Sequence, residues 1–160
     1  GQRAFVVTSA SKSWNLAGLK AGLIIPGAEV ADVVTGLSGY VPESASYLGV
    51  VAHATALTDG RDWLAEASAE IRENKQHFAD ELHHAIPELT YTPSQGTYLA
   101  WLDCSPLGLG HAGRHFFEKA KVRLGQGTDY APSATQFVRV NLATSQEIIS
   151  EAVRRMAASL

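Results

Sequence analysis

The segment from Asp59 to Ile86 constrains the fold of this chain more than any other part of the sequence. Apolar residues and one lysine recur there at intervals of three or four positions; the series is Leu64, Ala67, Ile71, Lys75, Phe78, Leu82 and Ala85. This spacing places the series on one face of an α-helix. A helix of about 25 residues would measure roughly 38 Å, long enough to connect two domains. Pro87 follows and would end the helix.

Before this helix, the sequence predicts alternating strands and helices. Residues Ala4 to Thr8 form a nearly continuous apolar run, typical of a strand buried on both faces of a parallel sheet. A second short strand is predicted at Gly22 to Ile25, and a helix at Ala28 to Thr35. The small, apolar residues that follow Pro42 indicate a buried helix, with Ser44 and Ser46 as candidate caps.

After the long helix, the order of the predicted elements changes. Strands are predicted at Leu89 to Thr92, Thr97 to Asp103, Val122 to Leu124 and Phe137 to Leu142, and helices at Ala112 to Lys121 and from Ser145 onward. Thr144 and Glu147 have the spacing of a capping box for the last helix, and Ile148, Ala152 and Met156 would form its apolar stripe. This order suggests a small α+β layer with helices on one face of a sheet.

The composition narrows the class of protein. Of the 160 residues, 46% are hydrophobic and 18% are charged, so the chain can bury a core. Its net charge of -3 offers no basic surface, and we expect no nucleic-acid partner. The single cysteine, Cys104, fits a reducing compartment and is interpreted as a buried, inert thiol. No apolar run is long enough for a membrane span or a signal peptide, so we expect a cytoplasmic protein that does not associate with membranes.

The segment TSASKSWNLAGLK begins at the end of the first strand and contains the most suggestive side chains of the sequence. The end of a strand is where α/β proteins place their chemistry, and a lysine whose amine is neutral can condense with an aldehyde. On this interpretation Lys12 would bind the aldehyde of pyridoxal phosphate (PLP), while Ser9 and Lys20 would bind its phosphate. The alternative is a solvated surface turn, and the S-x-x-K spacing alone does not exclude it.

Within this segment, SASKSWNLAGLK resembles the lysine segment of fold-type I PLP enzymes. More narrowly, it is similar to the PatB/MalY-type cystathionine beta-lyases, which share the class I/II aminotransferase fold. The resemblance implies that Lys12 is the lysine that binds PLP covalently and that Ser9 contacts the phosphate. Lys20 stands where many members of the family have an arginine on the phosphate.

Three further segments resemble the same family in the same order. DGRDWLAEASAEIRENKQHF is similar to the G-x-x-W-L segment and the interdomain helix, QGTYLAWLD to a strand of the small domain, and FVRVNLATS to the segment with the arginine that binds the substrate α-carboxylate. That role would fall to Arg139, whose planar guanidinium suits a carboxylate. The alternative for Arg139 is an ion pair with a surface acid.

The resemblance implies an α/β fold with three parts. Residues 1–58 would be the C-terminal remnant of the large, parallel-sheet PLP-binding domain, 59–86 the interdomain helix, and 87–160 the small α+β domain. In the family, several cofactor-binding segments precede the lysine, and none of them is found here. We therefore expect this chain to be the C-terminal portion of a larger enzyme, inactive alone and with little or no affinity for PLP. We also expect the full-length form to be a homodimer.

The resemblance implies a PLP-dependent carbon–sulfur lyase that acts on a small amino acid. Beta-elimination on a cysteine conjugate such as cystathionine would give pyruvate, ammonia and a thiol. The first alternative is an aminotransferase that moves the amino group to a 2-oxo acid, and the second is a non-catalytic interaction domain. A metal site formed by His111, His115 and Glu118 is less favoured, because their segment has the pattern of an ordinary amphipathic helix and no fourth ligand is apparent.

Overall fold

The computed structural model describes all 160 residues, and their contacts divide the chain into two compact units, Gly1–Ala67 and Ser68–Leu160. Both units combine strands and helices, and this confirms the predicted mixed α/β class. The division falls inside the long helix, α4 (Arg61–Ala85). The predicted three-part division at residues 58 and 86 stays a prediction. None of the helices combines the length and the apolar character that crossing a bilayer requires.

The first unit contains two strands, β1 (Phe5–Thr8) and β2 (Leu23–Pro26), and three helices, α1 (Ala31–Thr35), α2 (Tyr40–Glu43) and α3 (Tyr47–Asp59). The strands pair antiparallel, with Phe5 opposite Pro26 and Thr8 opposite Leu23. The expectation that the first strand is buried on both faces is wrong, because every residue of β1 is exposed. Side chains of a strand point to the two faces of its sheet, so only elements packed on those faces bury them, and β1 has no such cover in this chain.

Helix α3 begins as the sequence predicts but is not the buried helix expected there. The Ser46 hydroxyl accepts a hydrogen bond from the Gly49 backbone N–H (3.3 Å) and caps the helix. Only Gly49, His53 and Ala56 are buried, while Tyr47 and Leu48 are exposed. A run of small apolar residues indicates that a helix can pack closely on all sides, but only one side of α3 has neighbours here.

Helix α4 spans Arg61–Ala85 and confirms the longest prediction from the sequence. Phe78 and Leu82 are fully buried, as is Ile86 just beyond the last turn. Ala85, predicted on the same face, is exposed. Because 3.6 residues per turn do not divide evenly into seven, the buried stripe drifts around a straight helix, and Ile86 takes the place expected for Ala85.

The second unit packs helices on an antiparallel sheet of three strands. These are β3 (Leu99–Asp103), β5 (Phe137–Asn141) and β4 (Gly125–Gln126), with β5 in the centre. Helix α5 (Ala112–His115) continues into one π-helical segment (Phe116–Ala120), and α6 (Gln146–Ala157) is last. The strand predicted at 122–124 lies a few residues later as β4, and residues 89–92 form no strand.

The core of this unit lies between one face of the sheet and the helices. Its largest fully buried side chains are Phe78, Leu82, Ile86, Leu102, Phe116, Val138, Leu142, Val153 and Met156. Alternation along β5 directs Val138 and Val140 into this core and leaves Phe137 and Arg139 on the opposite face. Arg139 therefore lies on the face of the sheet opposite the core.

The last helix differs from its prediction in both its cap and its stripe. Its N-cap is Ser145 rather than Thr144, and a hydrogen bond from Ser145 lowers the pKa of the Glu147 carboxyl. The buried stripe is Ile149, Val153 and Met156, whereas Ile148 is 59% exposed. Ile148 and Ile149 are adjacent in the sequence, and only the packing of the helix on the sheet decides which one faces the core.

Two buried polar residues of α4 fix neighbouring backbone. The Asn74 amide donates hydrogen bonds to the carbonyl oxygens of Leu142 (3.0 Å) and Thr144 (2.7 Å). The Lys75 ammonium, in a side chain only 5% exposed, donates to the carbonyl oxygens of Ser94 and Gly96 (2.9 Å each). The lysine that interrupts the apolar face of α4 therefore holds the loop that leads into β3.

Replacing Lys75 with methionine is expected to lower the free energy of unfolding by roughly 2 kcal/mol. Methionine retains most of the apolar stem but leaves two backbone carbonyls without their charged donor. Denaturant unfolding followed by circular dichroism measures the change. The exposed Lys119 provides the matched control, since Lys119→Met should change stability by less than about 0.5 kcal/mol. Equal stability of the two variants would contradict a structural role for Lys75.

Candidate functional site

The segment 9–20 follows β1 and carries three of the predicted site residues, Ser9, Lys12 and Lys20. Ser9 is half-buried, and its hydroxyl accepts a hydrogen bond from the Ser11 backbone N–H (3.3 Å). Lys12 lies in the turn that follows, where its side chain is exposed and makes no ion pair or hydrogen bond. The structure thus leaves the Lys12 amine exposed and without a partner in this chain.

Lys20 ends the same segment in a strained backbone conformation. Its φ of 55° places it in the left-handed region, where it caps the short 3₁₀ turn Ala17–Leu19. A residue other than glycine pays about 1 kcal/mol or more for that conformation. The Lys20 side chain is exposed and has no acidic partner, so a second free cation lies eight positions after Lys12.

Two close contacts with α3 fix this lysine segment. The Trp14 indole donates a hydrogen bond through Nε1 to the Gly60 carbonyl oxygen (2.8 Å), directly after α3. At the other end of the segment, the Leu19 carbonyl lies so close to Gly49 that a Cβ there would collide with it. The local sequence pattern predicts neither the contact of Trp14 with Gly60 nor that of Leu19 with Gly49. Their importance depends on how closely two distant segments approach, which no local pattern reveals.

Alanine at Gly60 is expected to destabilise the first unit by about 1–3 kcal/mol and to displace the indole of Trp14. A Cβ at Gly60 would lie 2.6 Å from Trp14 Nε1, so the hydrogen bond could not form without a shift. Chemical denaturation measures the loss, and tryptophan fluorescence follows the indole. Gly18 is the matched control, because a Cβ there has no neighbour within 4 Å. If Gly18→Ala proves as damaging as Gly60→Ala, the contact with Trp14 is not what fixes the segment.

Arg139 lies at the centre of the exposed sheet face of the second unit. On β5 it is paired with Trp101 of β3 on one side and Gly125 of β4 on the other. Its guanidinium carbon lies 5.0 Å from the centroid of the Tyr130 ring. A Cβ at Gly125 would lie 3.4 Å from Arg139 Nε, so the glycine leaves room for the arginine side chain.

The alternative in which Arg139 pairs with a surface acid is wrong. The ion pairs of the chain join Arg3 to Glu29 and join both Arg154 and Arg155 to Glu151. Arg139 belongs to none of them, and its side chain donates no hydrogen bond within the chain. A half-buried guanidinium with all of its donors unused is suited to an external carboxylate or phosphate.

The other reactive side chains are engaged elsewhere. Cys104 is fully buried, and burial, aided by the negative charge of Asp103, raises the pKa of its thiol to about 12. This confirms the interpretation of an inert thiol. His111 accepts a hydrogen bond from the Arg114 backbone N–H (3.4 Å), and His115 Nε2 lies 3.0 Å from the Ser159 carbonyl oxygen. These histidines serve the ends of helices and do not converge with acids on a common point.

Ser9, Lys12 and Lys20 therefore lie along one segment of the first unit, and Arg139 lies in the second unit. The sequence model of class I and II aminotransferases matches residues 1–156. The chain belongs to this family.

Two relatives in sequence and one solved structure show which proteins this chain is similar to. It is 37% identical to a protein of Mycobacterium tuberculosis strain CDC 1551 named "Putative cystathionine beta-lyase", over 99% of this chain and 44% of that protein. It is 34% identical to the cystathionine beta-lyase of Corynebacterium glutamicum, over 96% of this chain and 42% of the other. A solved structure from Corynebacterium diphtheriae, described as a putative PLP-dependent beta-cystathionase, superposes with a TM-score of 0.91 at 36% identity, covering 97% of this chain and 42% of that one.

The chain spans less than half the length of these relatives. This coverage supports the expectation that it corresponds to part of a larger enzyme. The comparisons confirm the predicted family and fold. The roles of Ser9, Lys12, Lys20 and Arg139 stay predictions.

Proposed function

We propose that this chain is part of a PLP-dependent carbon–sulfur lyase that removes a thiol from the β-carbon of a cysteine conjugate such as cystathionine. The observation that supports a substrate with a carboxylate is the Arg139 guanidinium, which lies over an aromatic ring and has no acidic partner. The match to class I and II aminotransferases supports PLP chemistry, and the relatives named cystathionine beta-lyase favour the lyase reaction.

The donor groups of the lysine segment fit PLP. The cofactor has an aldehyde, which needs an amine, and a phosphate, which needs hydrogen-bond donors and positive charge. Lys12 offers an amine with no competing partner, Ser9 a hydroxyl, and Lys20 a second cation. We assign the aldehyde to Lys12 and the phosphate to Ser9 and Lys20. The acid that would face the pyridine nitrogen has no candidate among the motifs of this chain.

The residues of this chain would divide the work of beta-elimination as follows. When bound, PLP supplies an electron-withdrawing ring conjugated to the reacting carbon. Arg139 binds the α-carboxylate through its planar set of N–H donors and fixes the orientation of the amino acid. The Lys12 amine accepts the proton when the Cα–H bond breaks. The bond from the β-carbon to sulfur then breaks with its electron pair on sulfur, and addition of water to the remainder gives pyruvate and ammonia.

An assay of the full-length protein with cystathionine tests this proposal. Pyruvate release that needs no 2-oxo acid supports beta-elimination. Amino-group transfer that depends on an added 2-oxo acid, with no pyruvate formed from cystathionine, would show instead that the protein is an aminotransferase. Relatives of the chain include aminotransferases, and Lys12 and Arg139 would serve either reaction.

One observation bears on the second alternative, an interaction role. The first unit exposes many large apolar side chains, namely Phe5, Val6, Val7, Ile24, Ile25, Tyr40, Tyr47 and Leu48. Such a surface needs a cover in solution. We propose that the rest of the enzyme and a second subunit of a homodimer, located in the cytoplasm, supply it. A full-length protein that binds no PLP, as judged by visible absorption, would contradict the enzyme function and support the interaction role.

A further inference from the structure

Arg139 is surrounded by a row of aromatic rings on the exposed face of the second sheet. The Trp101 and Tyr130 rings meet edge to face with centroids 5.3 Å apart, and Trp101 stacks on Phe137 at 5.7 Å with 14° between the ring planes. Tyr130 ends this row and lies under the guanidinium. The rings belong to two strands and the connection between β4 and β5, so that the sheet pairing sets their relative positions.

Tyr130 and Arg139 interact in a way that leaves the hydrogen-bond donors of the arginine free. A cation over a ring is attracted to the negative potential of the ring face and uses none of its N–H groups for the purpose. Arg154 and Arg155 provide the contrast within this chain, because Glu151 occupies their donors at 2.7 Å. An acid would hold Arg139 more strongly but would compete with any external carboxylate.

Tyr130 is also well placed to limit the motion of a long side chain. An arginine side chain loses conformational entropy when a ligand fixes its rotatable bonds, and this loss weakens binding. A site that already restricts these bonds loses less entropy on binding and therefore binds more tightly. The ring confines the guanidinium from one side, and the sheet pairing with Trp101 and Gly125 confines the base of the side chain. The N–H groups of the Arg139 guanidinium remain free to bind a ligand.

We propose that Tyr130 is a positioning residue that orients Arg139 for the substrate α-carboxylate, and that Trp101 holds the Tyr130 ring in place. This inference rests on the proposed function, in which Arg139 binds that carboxylate. Tyr130 is 51% exposed, so its ring contributes little to the core and can be changed without unfolding the protein.

A double-mutant cycle in the full-length, PLP-loaded enzyme tests the inference. Pyruvate release from S-methyl-L-cysteine gives kcat and KM for the wild type, Tyr130→Leu, Tyr130→Phe, Arg139→Gln and the double variant Tyr130→Leu/Arg139→Gln. We expect Tyr130→Leu to raise KM about 5- to 10-fold with kcat within about twofold, and Tyr130→Phe to resemble the wild type. In the Arg139→Gln background, Tyr130→Leu should change KM by less than about twofold.

The outcomes separate this inference from the function on which it rests. If Arg139→Gln raises KM and Tyr130→Leu changes KM by the same factor in both backgrounds, the positioning role of Tyr130 is overturned, while the proposed function stands. If Arg139→Gln leaves KM unchanged, the carboxylate assignment fails and the inference fails with it.

A second series keeps the shape of the ring and guards against misfolding of Tyr130→Leu. Phenylalanine analogues with one, two and three ring fluorines at position 130 weaken the negative potential of the ring face in steps. We expect KM to rise at each step while the thermal unfolding midpoint stays constant. A KM that does not depend on fluorination would overturn the inference.

Discussion

Alanine in place of Lys12 is expected to lower kcat of the full-length enzyme by about 10³-fold or more. In the proposed mechanism, the substitution would remove both the amine that binds the cofactor and the base that accepts the α-proton. In this chain alone Lys12 is exposed and makes no ion pair, so the same substitution there should change the free energy of unfolding by less than about 0.5 kcal/mol. Pyruvate release from cystathionine measures the activity, and borohydride reduction followed by mass spectrometry locates covalently attached PLP.

Lys20 provides the matched control for this experiment. It is a second exposed lysine on the same segment, also without an acidic partner. Lys20→Ala should weaken PLP binding but leave the covalent label on Lys12. A label on another lysine of the wild-type protein, or unchanged turnover by Lys12→Ala, would refute the assignment of Lys12 and with it the proposed site.

Lysine in place of Arg139 is expected to lower kcat/KM about 100-fold, mainly through KM. Lysine keeps the positive charge but lacks the planar fork that donates two parallel hydrogen bonds to a carboxylate. Loss of a charge-assisted hydrogen bond costs about 1.5–3 kcal/mol, and 2.8 kcal/mol corresponds to about 100-fold. Steady-state kinetics with cystathionine measures both constants. Since Arg139 is unpaired within the chain, stability should change little.

Arg123 is the control, because it is an exposed arginine close in sequence to β4 and makes no ion pair. Arg123→Lys should leave both kinetic constants within about twofold of the wild type. The α-carboxamide of the substrate adds a second check, since it cannot form the same ion pair. Arg139→Lys should lower kcat/KM for the carboxamide far less than kcat/KM for the acid. An equal decrease for both substrates would mean that Arg139 does not recognise the carboxylate.

The agreement between sequence and structure is best where a pattern is long. The periodic series of α4 runs from Leu64 to Ala85, about six turns, and the helix begins at Arg61, two residues after the predicted start at Asp59. The strands around Trp101 and Arg139 also lie within two residues of their predicted bounds, and each has one buried face. The family resemblance of the lysine segment and of FVRVNLATS supplied the site residues, which spacing alone left open.

Predictions of burial failed where they depended on neighbours outside the local segment. An apolar run in β1 and small residues in α3 indicate that these elements can be buried. In this chain, however, β1 is exposed along its whole length and α3 is buried on one side only. In the stripe of α6, Met156 is buried as predicted, but Ile149 and Val153 take the places expected for Ile148 and Ala152. Either Ile148 or Ile149 satisfies the pattern, and only packing on the sheet selects Ile149.

The sequence by itself determined the family, the long helix and the residue types available for chemistry, since these depend on side-chain identity and on periodicity along the chain. Only the tertiary structure decided that Arg139 has no acidic partner and lies over Tyr130, that Trp14 reaches Gly60, and that Lys75 binds the loop before β3. Each of these contacts joins residues separated by at least nine positions. Short-range pattern does not encode such contacts, because they form only when sheet pairing and helix packing bring distant segments within hydrogen-bond distance.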